Sequence, residues 1–285
     1  MKTENALELC NVTKKYKDFT LKNLSLRLPQ GCVMGLIGEN GAGKSTTIKA
    51  VTGAVRADEG SISVLGCDVG SGEFQKVKED VGVVMDEACF PDVLCPRQVN
   101  KVMKQIYKNW EENVFFSYLK KFKLPEEKAF KEFSRGMKMK LSIAAALSHR
   151  PKLLILDEAT SGLDPIVRDE ILDVFNEFTR DECHSILISS HIVSDLEKIC
   201  DYIAFIHEGK LLFCEEKDVL LEEYGLLSIG TKDFEAIDPD AVLSYRNTGY
   251  GVEAIVRRSM IPESFHVERA GIEAVMVAMA KEVRS

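Results

Sequence analysis

Gly38-Glu39-Asn40-Gly41-Ala42-Gly43-Lys44-Ser45-Thr46 is the stretch that decides the fold of this chain. It has the spacing G-x4-G-K-[ST], in which a glycine-rich loop surrounds a polyphosphate with backbone N–H groups, the lysine reaches the outer phosphates and the serine hydroxyl holds Mg²⁺. Residues 32–37 read as a buried strand that enters the loop, and residues 44–51 as a helix that leaves it. Because the helix N-terminus points at the loop, we predict a phosphate site; an incidental glycine-rich turn would lack these flanks.

The size and composition of the chain indicate an ordinary globular protein. Its 285 residues are 45% hydrophobic and 29% charged, enough for one large domain or a domain with an appendage. The eight cysteines contain no C-x-x-C pair, so we predict neither a disulfide framework nor a zinc site, and we expect a cytosolic protein. The start has no apolar leader, and no apolar run approaches the roughly 18 residues of a membrane span. Any membrane role is therefore expected to depend on a partner.

The net charge of −8 is unevenly distributed. Residues 97–140 carry 12 Lys/Arg against 5 Asp/Glu, whereas residues 211–285 carry 8 against 14. A basic block beside an acidic tail suits a surface that faces anionic lipid or a basic partner loop. Solvated helix faces explain the same pattern without a partner, and we favour this simpler interpretation.

An antiparallel region precedes the phosphate loop. Residues 7–28 are predicted to form antiparallel strands, because leucines alternate with polar residues over positions 24–28. Tyr16 falls in the turn between these strands. Its ring could stack on a flat heterocycle, or it could cap a hairpin beside its lysine neighbours.

A helical insert interrupts the α/β pattern further along the chain. Strands are predicted at residues 61–65 and 81–85, with a short helix around residues 73–78. Residues 97–150 then have apolar side chains at helical spacing. The stripe consists of Val99, Val102, Met103, Ile106, Tyr107, Val114, Phe115, Tyr118, Leu119 and Phe122. We interpret it as the internal core of the insert, without a ligand role.

Two carboxylates follow the next buried strand. Residues 153–156 are continuously apolar, as in a central parallel strand covered on both faces, and Asp157 and Glu158 follow directly. Open α/β sheets bind ligands at this end of their strands. Asp157 is therefore expected to hold the Mg²⁺ that Ser45 also touches, and Glu158 to orient or deprotonate a water. His191 lies at the end of a third predicted strand, residues 184–189, where we favour a functional role over a structural one.

A second anion site is predicted at Ser134. This residue precedes a predicted helix at about residues 135–147. The Ser134 hydroxyl, the Gly136 backbone and the N-terminus of that helix together suit an anion.

These motifs, in this order, resemble the nucleotide-binding subunit of an ATP-binding cassette (ABC) transporter over about residues 5–215. The matching parts are the phosphate loop (38–46), the signature segment Phe133-Ser134-Arg135-Gly136-Met137, the Walker B strand (153–158), the D-loop Ser161-Gly162-Leu163-Asp164, the switch histidine His191 and the adenine-stacking Tyr16. The resemblance implies an α/β fold of the P-loop NTPase class, with a RecA-like core, an antiparallel β subdomain and a helical subdomain at about residues 87–150. The ATPase domain would span residues 1–215.

The resemblance also implies partners and cofactors. The family works as a head-to-tail dimer, in which Ser134 and Gly136 would clasp the γ-phosphate held by a second ABC ATPase subunit, identical or different, and Asp164 would lie at the dimer contact. An integral membrane permease, encoded as a separate chain, would hold the cytoplasmic protein at the inner face of the membrane, and no nucleic-acid partner is expected. The cofactors would be ATP and Mg²⁺.

The family's functional residues carry over to matching positions. Those assigned to ATP are Tyr16, Gly38, Asn40, Gly41, Ala42, Gly43, Lys44, Ser45, Thr46, Ser134 and Gly136. Those assigned to catalysis are Lys44, Glu158 and His191. Those assigned to the metal are Ser45, Asp157 and Asp86.

The chain departs from the family pattern at two sites. Asp86 stands where the family usually has Gln, and the signature segment reads F-S-R-G-M in place of L-S-G-G-Q. A carboxylate at residue 86 can ligate Mg²⁺ directly, so we hypothesise magnesium-linked coupling there. Arg135 and Met137 leave the missing glycine and glutamine unexplained.

Residues 216–285 form an appendage beyond the cassette. Strands are predicted at residues 226–229, 241–245 and 252–256, followed by a helix with Ile272, Val275, Met276 and Met279 on one face. This predicts a small α+β accessory domain. Such extensions resemble those of exporter cassettes that work with ABC-2 type membrane subunits. The cargo of that group of exporters includes hydrophobic or amphipathic peptides, such as bacteriocins and lantibiotics, and sometimes antibiotics.

Two other classes of protein fit these motifs less well than a transporter motor does. A soluble cassette protein acting on ribosomes or DNA generally carries two cassettes or a long charged arm, and this chain has one cassette and an insert of ordinary length. A phosphate-loop kinase or GTPase would leave residues 133–137 and 161–164 without a role. The transporter ATPase is therefore the reading that uses every motif.

Overall fold

The computed structural model describes residues 5–86 and 90–282, with side chains to residue 280. Its strands are β1 (Asn5–Lys15), β2 (Thr20–Pro29), β3 (Val33–Ile37), β4 (Glu59–Val64), β5 (Cys67–Asp68), β6 (Val81–Val84), β7 (Leu153–Asp157), β8 (Ser185–Ser190), β9 (Tyr202–His207), β10 (Lys210–Glu216), β11 (Tyr224–Ile229), β12 (Val242–Thr248), β13 (Gly251–Arg257) and β14 (Val267–Arg269). Its α-helices are α1 (Lys44–Val51), α2 (Phe74–Val77), α3 (Pro96–Ile106), α4 (Glu112–Lys121), α5 (Arg135–Leu147), α6 (Pro165–Phe178), α7 (Val193–Ile199), α8 (Lys217–Glu223), α9 (Thr231–Phe234) and α10 (Ile272–Glu282). Within the described ranges, none of these helices has both the length and the apolar character that a membrane span requires.

A six-stranded sheet lies at the centre, in the order β10-β9-β3-β8-β7-β6. The five strands from β9 to β6 are parallel, and β10 pairs antiparallel with β9 at one edge. Every residue of β3, β7 and β8 is buried, which explains the almost continuously apolar sequences of β3 and β7. The carboxyl ends of these three neighbouring strands meet at one edge of the sheet, so the phosphate loop lies beside the residues that follow β7 and β8.

A separate antiparallel sheet, in the order β2-β1-β4-β5, packs beside the central sheet. Leu24, Leu26 and Leu28 of β2 are buried, whereas Ser25 and Arg27 between them are exposed. The predicted alternation is confirmed. The buried face of this sheet belongs to the same hydrophobic cluster as α1 and β3, so it supports the phosphate loop from one side.

The helical insert between β6 and β7 contains α3, α4 and α5. Phe115 and Leu119 of α4 are buried in its core, as predicted. In contrast, Val102 and Ile106 of α3 are 44% and 61% exposed, so the prediction that the whole stripe is internal core is wrong at these positions. The apolar face of α3 extends beyond the part that α4 and α5 cover. The predicted start of the insert, at about residue 87, lies outside the described residues.

The last part of the chain is α+β, as predicted. Its antiparallel sheet has the order β12-β13-β11-β14, and one face has its own small core around Leu227 and Val256. The other side packs against α10, whose Ile272 lies in the same cluster as Leu196 of α7. The Ile272 N–H also donates to Glu197 Oε1 of α7 at 3.0 Å. The appendage therefore shares a hydrophobic core with the rest of the chain.

Candidate functional site

The phosphate loop connects β3 to α1 and depends on its glycines. Gly41 and Gly43 have φ angles of +85° and +118°, in the left-handed region that side chains disfavour. A Cβ on Gly38 would lie 2.3 Å from the Ile206 carbonyl oxygen, so only glycine fits there. Gly43 is the N-cap of α1 and has no side chain to bond the first N–H groups of the helix. These donors remain available to an anion.

Lys44 is buried at the centre of the loop. Its Nζ donates to the carbonyl oxygens of Gly38 at 2.8 Å and Glu39 at 3.3 Å, and it lies 3.2 Å from Glu158 Oε1. A buried ammonium is costly unless it is paired, and these oxygens supply the partners. The loop thereby fixes one positive charge beside the carboxylate that follows β7.

Asp157 ends β7 and lies next to the start of α1. Its Oδ1 accepts hydrogen bonds from Ser189 Oγ at 2.6 Å and from Ser45 Oγ at 3.3 Å. Carboxylate and hydroxyl oxygens are ligands that Mg²⁺ prefers, and this ion usually keeps waters and phosphate oxygens as its other ligands. The oxygen pair formed by Ser45 and Asp157 fits a magnesium site.

Glu158 has an unusual backbone for a residue that is not glycine, with φ at +52°. Its N–H donates to the backbone carbonyl and the hydroxyl of Ser189, both at 3.1 Å, which supports this conformation. Glu158 Oε2 lies 2.7 Å from Nδ1 of His191, just beyond β8. Glu158 Oε1 is buried, and among the described residues it has no hydrogen-bond partner. Its short distance to Lys44 is an ion contact only.

The signature and D-loop segments cap two successive helices. Ser134 is the N-cap of α5, where its Oγ accepts from the Met137 N–H at 3.3 Å. Asp164 is the N-cap of α6, where its Oδ1 accepts from the Val167 N–H at 3.1 Å. A Cβ on Gly136 would lie 3.3 Å from Cγ1 of Val167. The two segments therefore pack against each other.

Within the described residues, the hydrogen bonds of Ser134 and Asp86 do not join them to the cluster around Lys44. Ser134 is exposed, and within the described residues its hydrogen bonds do not reach the phosphate loop. Asp86 Oδ1 accepts a hydrogen bond from Arg135 Nη2 at 2.7 Å. The predicted metal role of Asp86 stays a prediction, but its observed partner is the signature segment.

Tyr16 lies in the turn between β1 and β2. Its ring is 44% exposed, its N–H donates to the Phe19 carbonyl at 2.8 Å, and Lys14 Nζ lies 5.8 Å from the ring centroid. The backbone hydrogen bond closes the turn, so the turn does not depend on the Tyr16 ring. The ring remains partly exposed. Stacking on a base stays a prediction.

Sequence reasoning missed an apolar cleft between the sheet edge and the insert. Its cavity volume is about 480 Å³, and its lining includes Val83, Val102, Ile106, Tyr107 and His149. Val83 is exposed at the end of the sheet, on β6. The sequence indicates this cleft only through the apolar face of α3, which is wider than a helix needs to pack against one neighbour.

Comparisons with known proteins agree with this site. A family model described as ABC transporter matches residues 21–161. The lantibiotic transport ATP-binding protein SrtF of Streptococcus pyogenes is 38% identical over 215 residues, which cover 74% of this chain and 91% of that protein. The bacitracin transport ATP-binding protein BcrA of Bacillus licheniformis is 35% identical over 212 residues, covering 72% and 68%.

A solved structure supports the same assignment at the level of the fold. An ATP-binding subunit of an ABC transporter is similar to this chain with a TM-score of 0.69 and 27% identity, over 75% of this chain and 91% of that one. The predicted P-loop NTPase fold is thus confirmed. The matched regions cover most of the length of both sequence relatives and of this solved structure. The chain therefore belongs to the ABC transporter family, as one of its ATP-binding and ATP-hydrolysing cassettes.

Proposed function

We propose that this cassette is the motor subunit of an exporter, in which two cassettes bind head to tail around two ATP molecules and separate after hydrolysis. One observation supports this proposal: Ser134, the N-cap of α5, is exposed, and within the described residues its hydrogen bonds do not reach the cluster of Lys44 and Glu158. A second anion site that is not bonded to its own phosphate loop suits the γ-phosphate held by another copy. ATP then joins the two copies, because it binds both surfaces at once.

The residues around Lys44 would hold the nucleotide. Residues 38–46 would surround the phosphates with N–H groups, and Lys44 would move its ammonium from loop carbonyls to the outer phosphates. Ser45 and Asp157 would hold Mg²⁺, which when bound neutralises phosphate charge. Tyr16 would stack on the adenine through its exposed face.

Glu158 would activate the attacking water through a defined oxygen. An ionised carboxylate only accepts hydrogen bonds, so the proton shared with His191 belongs to Nδ1. This occupies Oε2 and orients the side chain. Oε1 has no hydrogen-bond partner among the described residues and pairs with Lys44, so once Lys44 moves to the outer phosphates Oε1 would be the atom that takes the proton of water. His191 would keep Glu158 in place and contact the γ-phosphate through its other nitrogen.

A separate integral membrane subunit would bind the cleft beside α3. Val102 and Ile106 expose apolar surface there, and Val83 extends this surface onto the sheet edge. Exposed apolar groups that line one cleft are typical of a partner contact. Since the cleft lies between the insert and the core, movement of the insert would reach the partner directly. The cassette would then lie at the cytoplasmic face of the membrane.

The cargo class follows from the relatives. Proteins named for lantibiotic and bacitracin transport share 38% and 35% identity with this chain. We therefore propose export of amphipathic or hydrophobic antimicrobial peptides, with residues 216–285 acting as an accessory domain. Nucleic acid is a poor candidate partner for a chain with a net charge of −8.

Purification from the native host tests this function. A tagged chain extracted in mild detergent is expected to bring a polytopic membrane protein with it, and the complex is expected to hydrolyse ATP faster when an amphipathic peptide is added. Recovery with ribosomes or DNA, and no membrane protein, would contradict the proposal. An adjacent reading frame for a six-span permease would support the partner independently.

A further inference from the structure

The two places where this chain departs from the family pattern are bonded to each other. Asp86 follows β6 by two residues, and Arg135 is the first residue of α5, directly after Ser134. Arg135 Nη2 donates to Asp86 Oδ1 at 2.7 Å. The bond therefore joins the N-terminus of the signature helix, which belongs to the insert, to the edge of the central sheet.

The guanidinium of Arg135 also packs on the D-loop. A Cβ on Gly162 would lie 3.0 Å from both Cζ and Nη1 of Arg135, so the side chain occupies the space beside this glycine. Gly162 has a φ of +67°, which also favours glycine. One planar side chain of the signature segment thus contacts Asp86 after the edge strand and Gly162 of the D-loop, and both contacts lie within one chain.

We propose that Arg135 and Asp86 are a positioning pair, which orients Ser134 and Gly136 for the nucleotide of a second copy. This inference rests on the proposed function, because only a second copy supplies that nucleotide. The planar fork of arginine fixes direction as well as distance, which a lysine does not. In this arrangement the Asp86 carboxylate anchors the signature segment and is not a metal ligand.

The expected size of the effect is modest. The side chains of Arg135 and Asp86 are 55% and 47% exposed, and exposed ion pairs are weak on their own. Loss of the pair is therefore expected to weaken association of two copies about two- to fivefold. Binding of nucleotide to one copy should not change, because within the described residues neither side chain hydrogen-bonds or ion-pairs with the phosphate loop.

The test uses a Glu158→Gln background, in which ATP-driven association is followed by analytical ultracentrifugation. Asp86→Asn and Arg135→Gln are each expected to weaken association about two- to fivefold, and the double variant is expected to be no worse than either single one. A matched control is Lys104→Gln, which removes an exposed ion pair with Glu112 in the same insert at 2.9 Å. The control should associate as the parent does.

A second measurement does not require association. Hydrogen exchange of the amides of residues 134–138 in the single, nucleotide-free chain is expected to accelerate in Asp86→Asn and in Arg135→Gln, and to stay unchanged in Lys104→Gln. If the parent never associates but these amides respond, the proposed function and the role toward a second copy both fail, and only the anchoring of the signature segment by Asp86 stands. Additive losses in the double variant or unchanged exchange would overturn the pair. A changed Mg²⁺ requirement in Asp86→Asn alone would also overturn it and would favour a metal role for Asp86.

Discussion

Glu158 Oε2 lies 2.7 Å from His191 Nδ1, although the two residues are 33 positions apart in the chain. The bond exists because β7 and β8 are parallel neighbours, and each of these residues follows the end of its strand. It leaves the other carboxylate oxygen beside Lys44. The proposed chemistry of the site depends on this asymmetry between the two oxygens of one carboxylate.

His191→Ala should lower the turnover of ATP about 10- to 100-fold, the range for losing a hydrogen bond to a charged group. The affinity for ATP should fall much less than turnover, because the phosphate loop is intact and only the proposed γ-phosphate contact of His191 is lost. Steady-state hydrolysis and binding of a fluorescent ATP analogue measure the two effects separately. His184→Ala is a suitable control, since that ring stacks on Phe178 away from the site. Equal losses in both variants would mean that His191 acts only through stability.

Charge in the apolar cleft should separate the cassette from its membrane subunit. Ile106→Glu puts a carboxylate on the most exposed apolar residue of α3, where a partner would have to desolvate it. Recovery of the membrane protein in a pull-down is expected to fall at least tenfold, while ATP binding by the isolated chain is retained. Val219→Glu, an equally drastic change on exposed α8, should leave recovery unchanged. Normal recovery with Ile106→Glu would exclude the cleft as the docking surface.

Stability should fall in mild acid because of His149. Burial lowers the pKa of this side chain below its ordinary value of 6.5, and a hydrogen bond to the Glu79 carbonyl offsets only part of that shift. The folded state thus binds the proton less readily than the unfolded state. The contribution of His149 to the free energy of unfolding is fully present above about pH 6.5. It falls as the pH drops toward the pKa of His149 in the folded state, by at most about 1.4 kcal/mol per pH unit.

Urea unfolding at several pH values checks this prediction. His149→Gln, which keeps an amide donor for the Glu79 carbonyl, should have a flatter profile than the parent between about pH 7 and pH 5. Parallel profiles for the two proteins would show that His149 does not carry the pH dependence.

Docking of α10 should contribute measurably to folding. Ile272 is fully buried against α7, so Ile272→Ala is expected to lower the free energy of unfolding by about 2–5 kcal/mol. Val277 on the same helix is 49% exposed, and Val277→Ala should cost less than about 0.5 kcal/mol. Denaturant unfolding of both variants gives the comparison. If Ile272→Ala unfolds like the parent, the appendage does not share its core with the cassette.

The sequence alone predicts those parts of the site that are continuous in the chain. The phosphate loop combines its glycines, Lys44 and both flanking elements within 20 residues, and Asp157 and Glu158 directly follow their own strand. The pairing of Asp86 with Arg135 was not predictable, because it joins residues 49 positions apart whose types individually break the family pattern. Single residues give no periodic signal, and contact between distant segments is fixed by packing.

The insert shows a second limit of sequence reasoning. A hydrophobic period predicts that α3 is a helix with an apolar face, and this is confirmed. It does not say how much of that face a neighbour covers, so Val102 and Ile106 were assigned to the core although they are exposed. The same limit applies to α10, whose apolar face was predicted while its contact with α7 was not.

Association of the Glu158→Gln variant tests the central claim most directly. The substitution removes the proposed proton acceptor, so turnover should fall about 10²- to 10⁴-fold while ATP and Mg²⁺ still bind. Ultracentrifugation with saturating Mg-ATP should then give a dimer, for the variant alone or together with its membrane subunit, and Ser134→Arg in the same background should return it to a monomer. A Glu158→Gln protein that binds Mg-ATP and stays monomeric under both conditions would contradict the account.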